Sequence, residues 1–415
     1  MSKWKNIAKT LGPGILFAST AIGVSHIVQS TRAGADFGFA LIPFVLAANL
    51  FKYPFFEYGS RYANSTGESI IDGYKRVGNW MLWLYFLITL GSMFFVTAAV
   101  GAVTAGFLQN LFGVSGWGIW GTGGLFALCL FILLLGRYKL LDSMIKIIGA
   151  VLLLSTLMTF FLALGKGSNT PVDRFAAPEI WSDNSVLFII ALMGWMPTAV
   201  DLSAWNSLWT VERIKQTGYH PSMKETLLDF NFGYIVSTVL SLCFVTLGAY
   251  MMFGSGEVLP DKGALFASKV VEMFTEYMGG WSFIIIAAAS FAIMFGTCIA
   301  IFDGYARALQ RTAILLGNRD EKKSSGVYSG SLLFVGLGAF GIVYFLGSHL
   351  KELVDLATTI SFLIAPVIAI VNFRLVTGKY IRNEHQPPMW IKVLSILGIV
   401  FLSGFAIYFL IIRLT

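Results

Sequence analysis

Charge and polar chemistry are what this sequence lacks. Only 12% of its 415 residues are Asp, Glu, Lys or Arg, about half the share with which a soluble domain covers its surface. A water-soluble enzyme is therefore excluded. Cysteine is scarce: Cys129, Cys243 and Cys298 lie in apolar stretches with no paired spacing. That argues against a disulfide framework, a zinc site or an iron–sulfur site. The chain also has no HExxH, Gly-x-Ser-x-Gly, paired-carboxylate or CxxC constellation and no soluble sensory segment. Neither catalysis, a cofactor nor a receptor role is expected. What is present is apolar and aromatic, with 36 Phe, 11 Trp and 43 Gly. Gly permits close helix contact and Trp favours membrane interfaces, so this composition fits a helical bundle embedded in a lipid bilayer. The net charge of +7 does not imply nucleic acid, because basic residues of membrane proteins collect in cytoplasmic loops.

A helix needs about 20 mainly apolar residues to cross the hydrocarbon core. Eleven segments qualify, at 13–34, 38–60, 79–109, 117–136, 141–165, 186–208, 227–253, 281–306, 328–347, 353–374 and 390–412. The expected fold is all-α, a single transmembrane domain over 1–415. Lys3, Lys5 and Lys9 precede span 1, and Met1–Thr10 runs into Gly12-Pro13-Gly14 without a small-residue cleavage pattern. It reads as a retained cytoplasmic end. Basic residues then follow every even-numbered span: Arg61, Lys75 and Arg76; Arg137 and Lys139; Arg213, Lys215 and Lys224; Arg311, Arg319, Lys322 and Lys323; Arg374, Lys379 and Arg382. The intervening loops are poorer in basic residues, like the uncharged Val114–Trp117, or mixed in sign, like 254–280. This pattern predicts N-in, C-out insertion, as in a bacterial inner membrane.

Two spans are abnormal in the same way. Span 1 opens as an apolar half, Ile15–Ile22, meets Gly23-Val24-Ser25, and continues through His26, Gln29, Ser30, Thr31 and Arg32. Span 6 has an apolar half, Val186–Met193, then Gly194-Trp195-Met196-Pro197-Thr198, then Asp201, Ser203, Asn206 and Ser207. Pro lacks an amide to donate and Gly weakens helices, so both spans can break near mid-membrane. They stand five spans apart. Paired interruptions in corresponding positions of two halves point to an inverted-repeat transporter whose site lies at the breaks. The repeats would cover 13–165 and 186–374, with 390–412 as an extra helix and breaks at Ile22–Ser25 and Met193–Pro197. Two simply kinked helices would not explain the polar run after each break.

Gly12-Pro13-Gly14, the apolar half-helix, the break and Ala33-Gly34-Ala35-Asp36-Phe37-Gly38-Phe39 resemble the first span of the NRAMP family. Span 2, the Met196-Pro197 pair and the basic connection from Lys224-Glu225 into Asn231 extend the resemblance over nearly the whole chain. It implies a LeuT-type fold of two inverted five-span repeats and proton-coupled transport of divalent metals by alternating access. The motif residues differ, however. Where the family carries Asp-Pro-Gly-Asn, this chain has Gly23-Val24-Ser25-His26, and the His of the family's Met-Pro-His is Thr198. The third span carries acids in the family, whereas no Asp or Glu occurs here between Gly78 and Leu141.

The candidate substrate-binding residues are Gly23, Ser25, His26, Gln29, Gly194, Trp195, Met196, Thr198 and Asp201. His26 is the sole histidine inside a span, and an intramembrane ionisable group is costly unless it serves a purpose or is paired. It can bind a proton, a metal or a carboxylate. Asp201 is the natural cation or proton partner, or else the ion-pair partner of Arg32. His26 and Asp201 are the proton-coupling candidates. Met196 is a soft ligand suited to Mn, Fe or Cu, or a packing residue. If a metal binds, Met196, His26 and Asp201 would hold it. Ser25, Thr198 and Ser203 offer hydroxyls beside unwound carbonyls, or bond back to their own helices. Trp195 and Trp205 can wall an organic substrate or pack. Lys52, Asp142, Lys146, Asp303 and Asp355 read as structural charges, Asp142–Lys146 and Asp303–Arg307 being spaced i,i+4.

Two transported classes follow. A dehydrated divalent cation needs compensating negative charge, and only Asp201 lies near either break to supply it. The charge argument therefore leans towards a small organic or anionic solute, held by free amides at the start of the second half of span 1 with His26 and Arg32. The alternative is a proton-coupled carrier of Mn, Fe or hydrated Mg with a non-standard ligand set.

Overall fold

The computed structural model describes residues 10, 12–114, 116–135, 138–167, 179–318, 325–347 and 349–414. Lys3, Lys5, Lys9, Arg137, Arg319, Lys322 and Lys323 lie outside these residues, as do the side chains of Lys139, Asp142 and Lys146.

The first span is broken as expected. Helix α1 (Pro13–Ala21) ends before Ile22, a π-helix (Ser25–Ser30) follows, and α2 (Thr31–Phe37) completes the crossing. Pro13 suits the first turn, where its missing amide would have had no partner within the helix. The Asp229 carboxylate accepts from the amides of Gly12 (3.2 Å) and Gly14 (2.7 Å), placing negative charge at the positive end of α1. Asp229→Ala is expected to lower stability by about 1–2 kcal/mol and Asp229→Asn by less, because the amide oxygen still accepts. Thermal unfolding of the detergent-solubilised variants measures both.

After α3 (Ile42–Thr66) and the short α4 (Ile70–Val77) come α5 (Asn79–Phe112), α6 (Gly118–Leu134) and α7 (Tyr138–Lys166). The sixth span is split into α8 (Asp183–Gly194) and α9 (Leu202–Thr217). Then follow α10 (Met223–Met252), α11 (Gly263–Met278), α12 (Phe283–Gly317), α13 (Ser325–Leu346), α14 (Leu350–Thr377) and α15 (Met389–Leu414). Among the described residues, six segments are long and apolar enough to cross a membrane by themselves, namely α5, α10, α12 extended back to Gly280, most of α13, α14 and α15. Helix α3 is long enough but carries Lys52, Glu57 and Arg61.

One helix was not legible as such. The mixed-charge stretch before span 8 holds α11, whose Phe266, Ala267, Val270, Val271 and Phe274 are buried. These residues recur at helical spacing, and α11 packs on α5. The second break is also longer than Met193–Pro197, since regular helix resumes only at Leu202.

Helix α10 runs along both halves of span 1, and α3 lies along α9. Helix α14 packs on α8 and α5, while α15 lies against α3 and α14 at the edge of the bundle. Close approach at these crossings depends on glycine. A Cβ on Gly14 would stand 2.0 Å from the Asp229 carbonyl oxygen, one on Gly59 2.2 Å from that of Ser203, and one on Gly194 2.0 Å from that of Thr358.

Candidate functional site

At the first break the backbone is held by side chains instead of by a regular ladder. Ser25 Oγ donates to the Ala21 carbonyl (2.6 Å), and Thr297 Oγ1 to that of Ser19 (3.0 Å). Gly23 faces Thr297, whose Cγ2 would lie 3.0 Å from an added Cβ. His26 is fully buried. Its Nε2 lies 2.8 Å from the Ser237 carbonyl on α10 and its Nδ1 2.7 Å from Ser25 Oγ. Because a carbonyl only accepts, Nε2 carries hydrogen. The surroundings satisfy both states of the ring. The neutral imidazole takes the single Ser25 hydroxyl hydrogen at Nδ1, leaving the Ala21 carbonyl to the Gly23 amide (2.9 Å), whereas the imidazolium donates to Ser25 Oγ, which then donates to Ala21.

The second break is organised by a residue on another span. Lys52 of α3 is fully buried. Its ammonium donates to the carbonyls of Met193 (2.7 Å), Gly194 (2.9 Å), Met196 (3.1 Å) and Thr198 (3.0 Å). These are the carbonyls that the end of α8 and the irregular turn after it leave without helical amides. The Met196–Pro197 peptide is cis. Trp195 Nε1 donates to Ser361 Oγ on α14 at 2.8 Å. Asn372 Nδ2 donates to Ser203 Oγ (2.9 Å), and Asn372 Oδ1 accepts from the Tyr74 hydroxyl (2.7 Å). Asp201 is buried at the head of α9 and faces the Lys52 charge and Tyr305 of α12.

A third cluster ties the second half of span 1 to α14. Arg32 forks onto the Asp355 carboxylate (2.6 and 2.9 Å), and its Nη1 also donates to Gln29 Oε1 at 3.0 Å. Gln29 in turn donates to Asp355 (2.9 Å) and Thr358 (3.3 Å). The guanidinium lies 4.8 Å from the Phe188 ring centre. Beside it opens a cavity of about 420 Å³ lined by Arg32, Phe188, Glu352, Asp355, Phe409 and Arg413.

The candidates from the sequence therefore fall into three groups. Ser25 and His26 turn towards α10, and Gln29 joins Arg32 and Asp355. Gly194, Met196 and Thr198 contribute carbonyls to Lys52, and Trp195 reaches α14. His26 and Asp201 make their contacts with different elements. Arg32 pairs with Asp355 and not with Asp201. Trp205 packs edge-on against Tyr305 at 4.6 Å and against Gly304. Asp303–Arg307 is an ion pair at 2.7 Å, as its spacing implies. Lys52 is the residue organising this break that the sequence pattern undervalued. A signal was present: positions i±3 and i±4 hold Asn49, Phe55, Ala48 and Phe56, so an intramembrane lysine with no acid one turn away on its own helix had to find acceptors on another span.

Residues 14–412 match the family profile of natural resistance-associated macrophage protein-like (Nramp) proteins. The chain is 33% identical over 415 residues to an uncharacterized protein of Pasteurella multocida, covering 99% of this chain and 93% of that one. It is 23% identical over 264 residues to the divalent metal cation transporter MntH of Latilactobacillus sakei, covering 62% and 57%. Among solved structures, a manganese transporter of Eremococcus coleocola superposes with a TM-score of 0.76 at 14% identity, covering 98% of this chain and 86% of that one. MhsT in complex with L-phenylalanine gives 0.60 at 12% identity, with 97% of both chains covered. These structural likenesses establish the fold: an all-α, LeuT-type membrane architecture with broken first and sixth spans.

Proposed function

Since the chain belongs to the Nramp family of membrane transporters, we propose that it is a secondary carrier that uses this scaffold for a small organic or anionic solute. The Lys52 ammonium on the carbonyls of the sixth-span break carries this reading. In a metal site those carbonyls and Met196 would face a divalent ion. A divalent ion roughly 4 Å from an ammonium meets about 8 kcal/mol of repulsion at an effective dielectric near 20. Asp201 faces that same lysine and so offsets its charge instead of supplying the charge a metal would need. Among the described residues no cluster of three or more His, Cys, Asp or Glu could hold a metal ion.

The positive end of the helix beginning at Ser25, with His26 in its first turn, favours a carboxylate at the first break. The solute would be held at Gly23, Ser25, His26 and Gln29 from span 1 and at Gly194, Trp195, Met196, Thr198 and Asp201 from span 6. His26 would carry the coupling proton, because its hydrogen-bond partners accommodate both protonation states. The basic ends of the even-numbered spans argue for a cytoplasmic N-terminus and an external C-terminus, in a bacterial inner membrane.

Uptake into proteoliposomes tests the reading with a panel of carboxylates, amino acids, Mn and Mg. Saturable uptake of an organic anion, unaffected by Mn, is the expected result. Uptake of Mn with stabilisation at micromolar concentration would overturn it in favour of the divalent-metal alternative. His26→Gln should flatten the pH dependence of uptake, because glutamine keeps a hydrogen-bonding group but cannot take up a proton. An unchanged profile would place coupling elsewhere.

A further inference from the structure

We infer that the break in the sixth span is a cation-binding cage and that Lys52 is its covalently tethered cation. The Nζ atom lies 2.7–3.1 Å from four main-chain oxygens, those of Met193, Gly194, Met196 and Thr198. An ammonium has three hydrogens to donate. Four acceptors around three hydrogens is the arrangement of ion ligation, in which carbonyl dipoles replace a hydration shell. All four oxygens come from one stretch of chain, the end of α8 and the turn that follows. Their dipoles add to the negative end of that helix. Among the described residues no carboxylate lies within ion-pair distance of Nζ, so the four carbonyls are what this charge touches. The size of the cage, set by N–H···O distances, fits a monovalent ion of ammonium dimensions.

Tethering has a functional consequence. The cage is filled at all times at an effective concentration no dissolved ion reaches, so the sixth span keeps its broken geometry without an inorganic cation. Truncating the side chain would leave four oxygens facing a channel shaped for a four-carbon stem. That channel would then take a primary ammonium or potassium ion from solution. The inference concerns this cage alone and holds whichever solute the carrier moves.

The test is thermal unfolding of Lys52→Ala in N-methylglucamine, potassium, ammonium and propylammonium chloride at matched ionic strength. Propylammonium replaces the atoms removed. Wild-type protein should be indifferent to the choice of salt. Lys52→Ala should be markedly destabilised in N-methylglucamine and restored saturably by the other three. Propylammonium should act at concentrations at least about tenfold below ammonium, because its carbons refill the apolar stem channel. Lys52→Met fills the channel without charge and should stay destabilised in every salt. The inference fails if Lys52→Met is as stable as wild type, or if Lys52→Ala responds equally to all four salts. It also fails if Lys52→Ala folds in none of them, since the cage would then not accept a free cation. None of these measurements uses a transported solute, so a negative result here leaves the uptake test of the solute class standing.

Discussion

Gly34→Ala is expected to remove most of the folded protein. An added Cβ would stand 2.0 Å from the Val245 carbonyl oxygen and 2.7 Å from the Ala249 amide nitrogen. Both are main-chain atoms of α10, so no rotamer change relieves the contact. The reciprocal position has the same geometry: a Cβ on Gly248 would lie 2.3 Å from the Thr31 carbonyl oxygen. Helices α2 and α10 would have to separate along their length. Overpacking of this kind costs typically 1–3 kcal/mol, and a backbone-to-backbone clash belongs at the top of that range or above it. Against a total stability of roughly 5–15 kcal/mol, that leaves little folded carrier. Gly91→Ala is the matched control. Nothing lies within 4 Å of its added Cβ, and alanine is favoured over glycine in a helix by about 1 kcal/mol. Detergent-extracted yield and unfolding temperature should fall for Gly34→Ala and hold or rise for Gly91→Ala.

The same crossing shows what could be read from the chain alone. Gly23 and the Met193–Pro197 stretch betray the two breaks because glycine and proline act locally. Asp303–Arg307 is legible for the same reason, since partners one helical turn apart are visible in one dimension. The interactions that organise the site are not local. Lys52 finds its acceptors 141–146 positions away, and Arg32 finds Asp355 323 positions away. The acceptors of Lys52 are main-chain carbonyls, which no residue type announces. Grouping His26 with Asp201 followed from their shared place beside a break. Which way each side chain turns is decided by the helices packed against it: α10 for His26 and α12 for Asp201. Likewise α11 hides among charged residues because only one of its faces is buried.

Arg61→Met should be the most damaging change of charge. Glu57 and Arg61 are 1% and 5% exposed. The Arg61 Nε lies 3.0 Å from both carboxylate oxygens of Glu57, Nη2 closes onto Oε1, and Nη1 donates to the His385 carbonyl at 2.7 Å. The pair thereby fastens the end of α3 to the connection between α14 and α15. Methionine fills the volume of the arginine stem but leaves the carboxylate buried and unpaired. Breaking such a pair from one side costs about 3–5 kcal/mol, whereas replacing both partners with apolar residues is close to neutral. Glu57→Leu combined with Arg61→Met should therefore recover most of what the single change loses. Equilibrium unfolding of the single and double variants separates the two contributions. If the double variant is as unstable as Arg61→Met, the loss comes from the His385 contact and the packing of the arginine stem, and the buried carboxylate is not its cause. A double variant near wild type would identify the pair as a fastening that apolar contact can replace.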